Sequence, residues 1–492
     1  MHAINRREAL KLRAMAMLAP TVIGQLAGCA QGGSSGGGTS TASSAAKEAP
    51  SSYTLDSIRD YVVGVDEPIQ LEDGSTRPLI CFDNAATTPA LVPVLDEVSA
   101  KLLTYGSIGR GTSQKSDISA NIFAQTREKV LAFLGADPET YTCFYANTAT
   151  DGLNKLASAL VESPDDVVLV TRAEHHSNLL PWRNRCKVVN AEVDELGRID
   201  YDNMEQLLSE NKVKYVSVTA ASNVTGYVTD VHRVAKMAHA HGAKVIVDGA
   251  QIVAHRAFSM KGDTPEENID FFAFSAHKMY SPFGGGAVVG LTEVLNEHTP
   301  EFCGGGTVRI VGDDWEVLKQ APEVYEAGSP NYLGVVGMGK AMDVLTEVGF
   351  DNIAAHEQAL NRKLIDGLLQ QPNVIVYGDT DEIDDKVGVV TFNFSDVNTM
   401  VLAQRLAASY GIATRRGAFC AHPYVWRLMD ISDEKAHGFA ECVDVNTAGM
   451  IRVSFGIYNT EKEVDEFLKV LPDALEQAKK DMEGYSRAEP AY

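Results

Sequence analysis

The chain has 492 residues, 45% of them hydrophobic and 22% charged, which fits a globular protein with a large core and not a fibre or a disordered chain. A formal charge of −23 argues against nucleic acid or an anionic membrane surface as partner, since both repel an acidic face. The length accommodates two domains and a tail.

The amino terminus stands apart from the rest. Asn5-Arg6-Arg7-Glu8-Ala9-Leu10-Lys11 is basic, Ala14 to Gly28 is mildly apolar, and Leu26-Ala27-Gly28-Cys29 closes the segment. The apolar part is shorter than the ~20 residues a membrane span needs, so residues 1–29 read as an export signal. The plain alternative is a frayed helix with a chance arginine pair. The paired arginines resemble a twin-arginine signal, and Leu26-Ala27-Gly28-Cys29 resembles a bacterial lipobox. That resemblance implies a lipid on Cys29 and an exported protein held at the bacterial membrane by its lipid anchor alone. Residues 30–52, mostly Gly, Ser, Thr and Ala without periodicity, read as a flexible tether reaching ~25 Å. One acyl chain anchors only marginally, so stable attachment needs more than one.

Six further cysteines, Cys81, Cys143, Cys186, Cys303, Cys420 and Cys442, are scattered without a C-x-x-C pair or metal-type spacing. No metal site is expected. Export would permit disulfides among them without specifying which.

From about 140 to 290, apolar β runs alternate with helical patterns. Thr140 to Ala146 predicts a strand, Asn147-Thr-Ala-Thr-Asp-Gly152 a polar turn, and Leu153 to Leu160 a helix. Val167–Val170 and Tyr215–Val218 predict further strands. Val231, Val234, Ala235 and Ala238 mark one helical face, which ends at Gly242 before Val245-Ile-Val. Strand and helix in repeated order predict an α/β fold, a mainly parallel sheet covered by helices on both faces. The pattern changes after Glu326-Ala-Gly-Ser-Pro-Asn331. A helix over Gly334–Glu347, strands near 388–394 and 451–454, and helices over Thr399–Tyr410 and from Thr460 predict a smaller α+β domain. The expected division is a large domain over 53–333, whose first segment packs on the small domain, and a small domain over 334–492.

Two strand ends carry the chemistry. Lys244-Val-Ile-Val ends at Asp248-Gly-Ala-Gln251, and Ile269 to Phe274 ends at Ser275-Ala-His277-Lys278, followed by Gly284-Gly-Gly286. Buried strands that finish in polar residues predict a site at the carboxyl edge of the sheet. An Asp and a Lys on neighbouring strand ends suit pyridoxal phosphate: the Lys forms a Schiff base and the Asp keeps the ring nitrogen protonated. Taken singly, each has a plainer reading, a surface lysine and a helix cap. Asn147–Gly152 would hold a phosphate at a helix amino terminus through its N–H groups and the Thr150 hydroxyl, or is an ordinary polar turn. His175, after the strand at 167–170, would cover the second face of a pyridine ring, or is a surface histidine.

Residues 80–470 resemble the fold-type I, class V pyridoxal phosphate enzymes, and most closely the cysteine desulfurase and selenocysteine lyase group. The resemblance rests on Asp83-Asn-Ala-Ala-Thr, Glu174-His-His-Ser-Asn-Leu-Leu-Pro-Trp, Ser222-Asn-Val-Thr-Gly, Asp248-Gly-Ala-Gln, Phe274-Ser-Ala-His-Lys, Glu326-Ala-Gly-Ser-Pro-Asn and Arg452…Tyr458-Asn-Thr, in that order. It implies Lys278 as the Schiff-base lysine, Asp248 at the ring nitrogen, Gln251 near the phenolic oxygen and His175 stacked on the ring. It implies Thr150, Ser275 and His277 around the phosphate, with Ser329 reaching in from a second subunit of a homodimer. Asn223 and Arg452 would hold the carboxylate of a small amino-acid substrate, Arg452 as a bidentate fork, with Arg110 and Arg415 nearby. Gly109 precedes Arg110 where the desulfurase group often has a histidine.

Arg415-Arg-Gly-Ala-Phe-Cys420-Ala-His-Pro resembles the loop that carries the nucleophilic cysteine of desulfurases. A thiolate there takes the sulfur of cysteine as a persulfide and leaves alanine, and Arg415 and Arg416 favour the charged form. The other reading of Cys420 is a small buried apolar residue. Ala418 and Phe419 replace the paired histidines that many relatives carry, and the Gly-x-Phe-Cys form looks more like the molybdenum-cofactor sulfurase branch. Known desulfurases mostly feed cytosolic acceptors, which leaves the acceptor of an exported enzyme open. The leading expectation is an exported, lipid-anchored cysteine desulfurase-like enzyme. The alternatives are a class V-fold aminotransferase, epimerase or other lyase, and a surface lipoprotein that only binds.

Overall fold

Apolar β-formers that occupy both phases of a strand can be buried only where helices cover both faces of a sheet. Seven such strands assemble here: β1 (Tyr141–Ala146), β2 (Val167–Thr171), β3 (Lys187–Ala191), β4 (Val213–Thr219), β5 (Lys244–Asp248), β6 (Phe271–Ser275) and β7 (Gly286–Leu291). In this computed structural model, which describes residues 52–109, 111–439 and 449–485, they lie in the order β1-β7-β6-β5-β4-β2-β3. The expected signal, tether residues 30–51, Arg110 and Cys442 fall outside the described residues.

Strand β7 runs antiparallel between β1 and β6, and every other pairing is parallel. The expected mainly parallel sheet is therefore present, with one reversed strand. Val245 and Val247 pack into one apolar core with Val234 and Ala238 of the helix Val231–Ala240. Ile246, between them, packs into another with Leu153 and Leu156 of the helix Ala149–Leu160. The alternation explains why β5 has no polar face.

One local expectation is corrected and one is met. The helix expected from Leu153 starts at Ala149, because Thr148 accepts the Asp151 N–H at 3.1 Å and caps it. Thr150 and Gly152 thus belong to a first helical turn, not to a loop. The glycines after Lys278 serve close packing: a Cβ on Gly334 would come within 1.6 Å of the Gly284 carbonyl oxygen, so the Gly284–Gly286 segment lies directly on the start of the helix Tyr332–Val348.

The carboxyl-terminal sheet contains β8 (Val374–Tyr377), β9 (Val389–Phe394), β10 (Arg415–Gly417) and β11 (Met450–Ser454), antiparallel in the order β8-β9-β11-β10. Helices Phe350–Leu369, Thr399–Tyr410 and Glu461–Tyr485 enclose its core of Leu364, Phe392, Leu406, Val453 and Phe467. Ile80 and Phe82 join that core, and Ile80–Cys81 pairs in parallel with Ile412–Ala413. A buried ionic cluster ties this region to the turn after β5. Glu357, inside the helix Phe350–Leu369, accepts from Arg256 at 2.8 Å and from the Gly388 N–H at 3.1 Å, and is hydrogen-bonded to His255.

Candidate active site

The carboxyl ends of β6, β5, β4 and β2 stand side by side, so whatever follows each strand faces its neighbours. A cavity of about 230 Å³ opens there. Its walls carry Thr150, His175, Asn223, Asp248, Gln251, Ser275, His277 and Lys278 from the large sheet, and Arg415, Cys420 and Arg452 from the carboxyl-terminal region. Eleven of the residues singled out in the sequence therefore meet at one site. Ser329 does not: within one chain it lines a separate cleft with Tyr105, Ile108 and Gly305.

Asp248, 3% exposed, accepts the Ala250 N–H at 3.0 Å. Burial raises its pKa, opposed by that N–H and by the charge of Lys278. Lys278 sits on a short turn after Ser275. Burial lowers its amine to about 8, Asp248 pulls it back up, and Arg452 lowers it further. The pair is one acid and one base at the end of adjacent strands, and burial works against the charge on each.

The turn that carries Lys278 is clamped by residues without an assigned role in the sequence. Thr87 and Thr88 donate their hydroxyls to the His277 carbonyl at 3.1 and 3.2 Å, and the Thr88 N–H does the same at 3.1 Å. Burial and the Lys278 charge lower His277 to about 4, and its Nδ1 lies 3.2 Å from the Thr87 hydroxyl. Ser275 accepts the Ala149 N–H at 2.6 Å, and the Thr150 hydroxyl lies 2.7 Å from that of Ser177. Hydroxyls and a helix amino terminus thus converge at one end of the cavity.

His175 Nδ1 accepts the Ser177 N–H at 3.1 Å, which assigns the ring proton to Nε2. Burial, then Lys278, lowers this imidazole to about 3, so it is neutral at physiological pH. Beneath it, Glu174 is 1% exposed and receives Thr171 at 2.6 Å and Asn178 at 2.7 Å. Burial pushes that carboxyl up to about 8.

The opposite wall belongs to Arg452, 2% exposed on β11. Its Nη2 donates to Asp83 at 3.0 Å and its Nη1 to the Asn223 carbonyl at 2.9 Å, while Nε is buried without a partner. Each Nη keeps a second N–H beyond these bonds, so the fork expected for a carboxylate stays available beside the unpartnered Nε. Asn223 donates its Nδ2 to the Phe419 carbonyl at 2.7 Å. Gln251 donates to the Ala85 carbonyl at 2.9 Å, which leaves its buried Oε1 bare. Cys420, exposed at the cavity mouth, accepts the His176 N–H on its carbonyl at 2.7 Å. It is a free thiol, as are Cys81, Cys143, Cys186 and Cys303.

Residues 80–467 match the sequence profile of aminotransferase class V. The chain belongs to this family. Its members depend on pyridoxal phosphate, and this class V chain is an enzyme of the cysteine desulfurase-like kind. It is 32% identical over 418 residues to a probable cysteine desulfurase of Halalkalibacterium halodurans, covering 83% of this chain and 96% of the relative. It is 33% identical over 413 residues to a cysteine desulfurase of Haloferax volcanii, covering 82% and 91%. Among solved structures, an apo cysteine desulfurase from Thermococcus onnurineus superposes with a TM-score of 0.75 at 27% identity, over 86% of this chain and 99% of that one. A cysteine desulfurase of Escherichia coli gives 0.71 at 28%, over 87% and 99%.

Proposed function

We propose that this class V enzyme holds pyridoxal 5′-phosphate and converts cysteine to alanine, leaving the sulfur as a persulfide on Cys420. The donor set supports the cofactor. Lys278 and Asp248 flank the cavity, the Thr150 and Ser275 hydroxyls and His277 gather at the amino terminus of the helix Ala149–Leu160, and Gln251 Oε1 and Arg452 Nε are buried polar atoms without partners. Each bare atom costs free energy until something bonds to it. Bound there, the phosphate ester supplies an aldehyde for Lys278 and a ring that accepts an electron pair when Asp248 keeps its nitrogen protonated.

The chain's own groups do the rest. Arg452 Nε and the cation behind it hold the substrate carboxylate, with Arg415 at the rim. His175, neutral with Nε2–H, covers a ring face without adding charge. Lys278 Nζ, with a pKa of about 8, is able to take or give a proton near neutral pH. The Cys420 thiolate attacks the substrate sulfur, an S–S bond forms as the substrate C–S bond breaks, and the carbon takes a proton to become the methyl of alanine. The persulfide is left at the cavity mouth for a sulfur acceptor. Ser329 faces a separate cleft in one chain, which suits a contribution to a partner's site in a homodimer.

The observation that carries this reading is the position of Cys420 on the cavity that also holds Lys278 and Asp248. Cys420→Ala should abolish sulfide and persulfide formation and still show the change in cofactor absorbance when cysteine is added. If turnover survives that substitution, the reaction is a transamination, an epimerisation or another elimination. From Arg6-Arg7 and Leu26-Ala27-Gly28-Cys29 we further propose that the enzyme is exported and anchored through lipid on Cys29.

A further inference from the structure

Beside Cys420, two imidazoles meet in a contact that the proposed chemistry leaves unused. His176, at the start of the turn His176–Asn178, and His422, the first residue of the helix His422–Leu428, stack with ring centroids 4.9 Å apart and planes 6° from parallel. His176 Nε2 lies 3.1 Å from His422 Nδ1 and accepts the His422 backbone N–H at 3.3 Å. That acceptor role assigns the His176 proton to Nδ1 and makes His422 Nδ1–H a second donor to the same nitrogen. From the other direction, the His176 N–H donates to the Cys420 carbonyl. The three bonds join residues 176, 420 and 422 into one closed unit. The Trp426 ring lies 5.3 Å from that of His422, tilted by 58°.

The segment so held is under backbone strain. Phe419 and Cys420 have φ of 51° and 56°, a left-handed pair without a glycine. Asn223 pins the Phe419 carbonyl, Arg452 lies 4.9 Å over its ring, the Ala421 N–H returns to the Ala418 carbonyl at 2.8 Å, and Tyr424 bonds to Thr225 at 2.9 Å; the imidazole contact is what ties the Cys420 carbonyl and His422 to residue 176. Both rings are kept neutral. Burial, then His422 and Arg183, lowers His176 to about 4, and burial lowers His422, so at physiological pH the two share a hydrogen bond and do not repel.

We propose that His422 is a positioning residue that, through His176, latches the Cys420 loop in its strained conformation and aims the thiol into the cavity. This rests on Cys420 as nucleophile for its effect on turnover, but the latch has a readout of its own. His422 is exposed, so substitutions there should leave the fold intact. His422→Phe keeps a stacking ring and removes the nitrogens; His422→Asn loses the ring and restores a donor where Nδ1 stood.

The experiment measures deuterium uptake by the peptide over residues 417–424 in the holoenzyme, together with cofactor absorbance and the kcat and KM for sulfide release from cysteine. His422→Phe should speed exchange in that peptide and lower kcat about tenfold, the scale of one lost hydrogen bond, with KM and absorbance unchanged. His422→Asn should restore both towards wild type. Exchange unchanged in His422→Phe overturns the latch, even if sulfide release falls. So does equal loosening in both variants, which would make the stack and not the nitrogen responsible. Loosening in His422→Phe alone, in an enzyme that releases no sulfide at all, supports the latch and overturns desulfuration.

Discussion

Replacing Lys278 by methionine should make the cofactor-free protein more stable while ending its chemistry. Burial lowers the Lys278 amine from 10.5 to about 8, despite the attraction of Asp248. Because the folded value lies below the unfolded one, the unfolded chain binds more protons between pH 8 and 10.5, and stability rises with pH across that window. Below pH 8 the whole cost is present, about 3 kcal/mol for a shift of this size. Methionine fills a similar volume without the charge. Some of the gain is returned, because Asp248 loses the cation that favours its carboxylate, so the net gain at pH 7 should be about 1–3 kcal/mol. Urea titrations of wild type and Lys278→Met, both stripped of cofactor, would measure it at pH 7 and pH 9.5. The variant should unfold at higher urea at pH 7, and its advantage should shrink to roughly half at pH 9.5, where the wild-type lysine is already losing its proton. Identical midpoints at pH 7, or an advantage that grows with pH, would refute the claim that burial sets the state of Lys278.

Glu174→Gln should be tolerated and should alter only the pH dependence of stability. With the folded value near 8 and the usual one at 4.5, the native state binds the extra proton between those limits, so Glu174 loses stability as pH rises through them. Thermal midpoints at pH 5 and pH 8 should fall more for wild type than for the glutamine variant; parallel curves would mean that Glu174 is ionised in the fold. Cys29→Ser should release the protein from the membrane fraction into the extracytoplasmic soluble fraction. Wild type recovered from the cytosol with an uncleaved amino terminus would defeat the export proposal.

Much of the site was legible because its residues sit at strand ends. Apolar runs that break at Asp248 and at Ser275 locate the carboxyl edge of the sheet without reference to anything distant. Helix limits were legible where local signals exist, as in Thr399–Tyr410, which ends on a left-handed Gly411. The start of the helix at Ala149 was missed although Thr148 and Asp151 have capping spacing, because a run of small polar residues also describes a turn. The grip of Asp83 on Arg452 spans 369 positions, and no periodicity encodes a contact of that kind. The reversal of β7 is equally non-local, since strand direction depends on which neighbour is available for pairing. The left-handed backbone at Phe419 and Cys420 gave no warning either, as neither residue is a type that favours it.

The order in which the site's parts lie along the chain has a consequence for biosynthesis. The ribosome delivers Thr150, Asp248 and Lys278 well before Cys420 and Arg452, and earlier parts of a growing polypeptide generally fold first. On the proposed function, an unfinished molecule would offer a seat for the vitamin derivative while still lacking the thiol and the guanidinium assigned to the amino acid. Translation has to pass Arg452 before the proposed enzyme is armed.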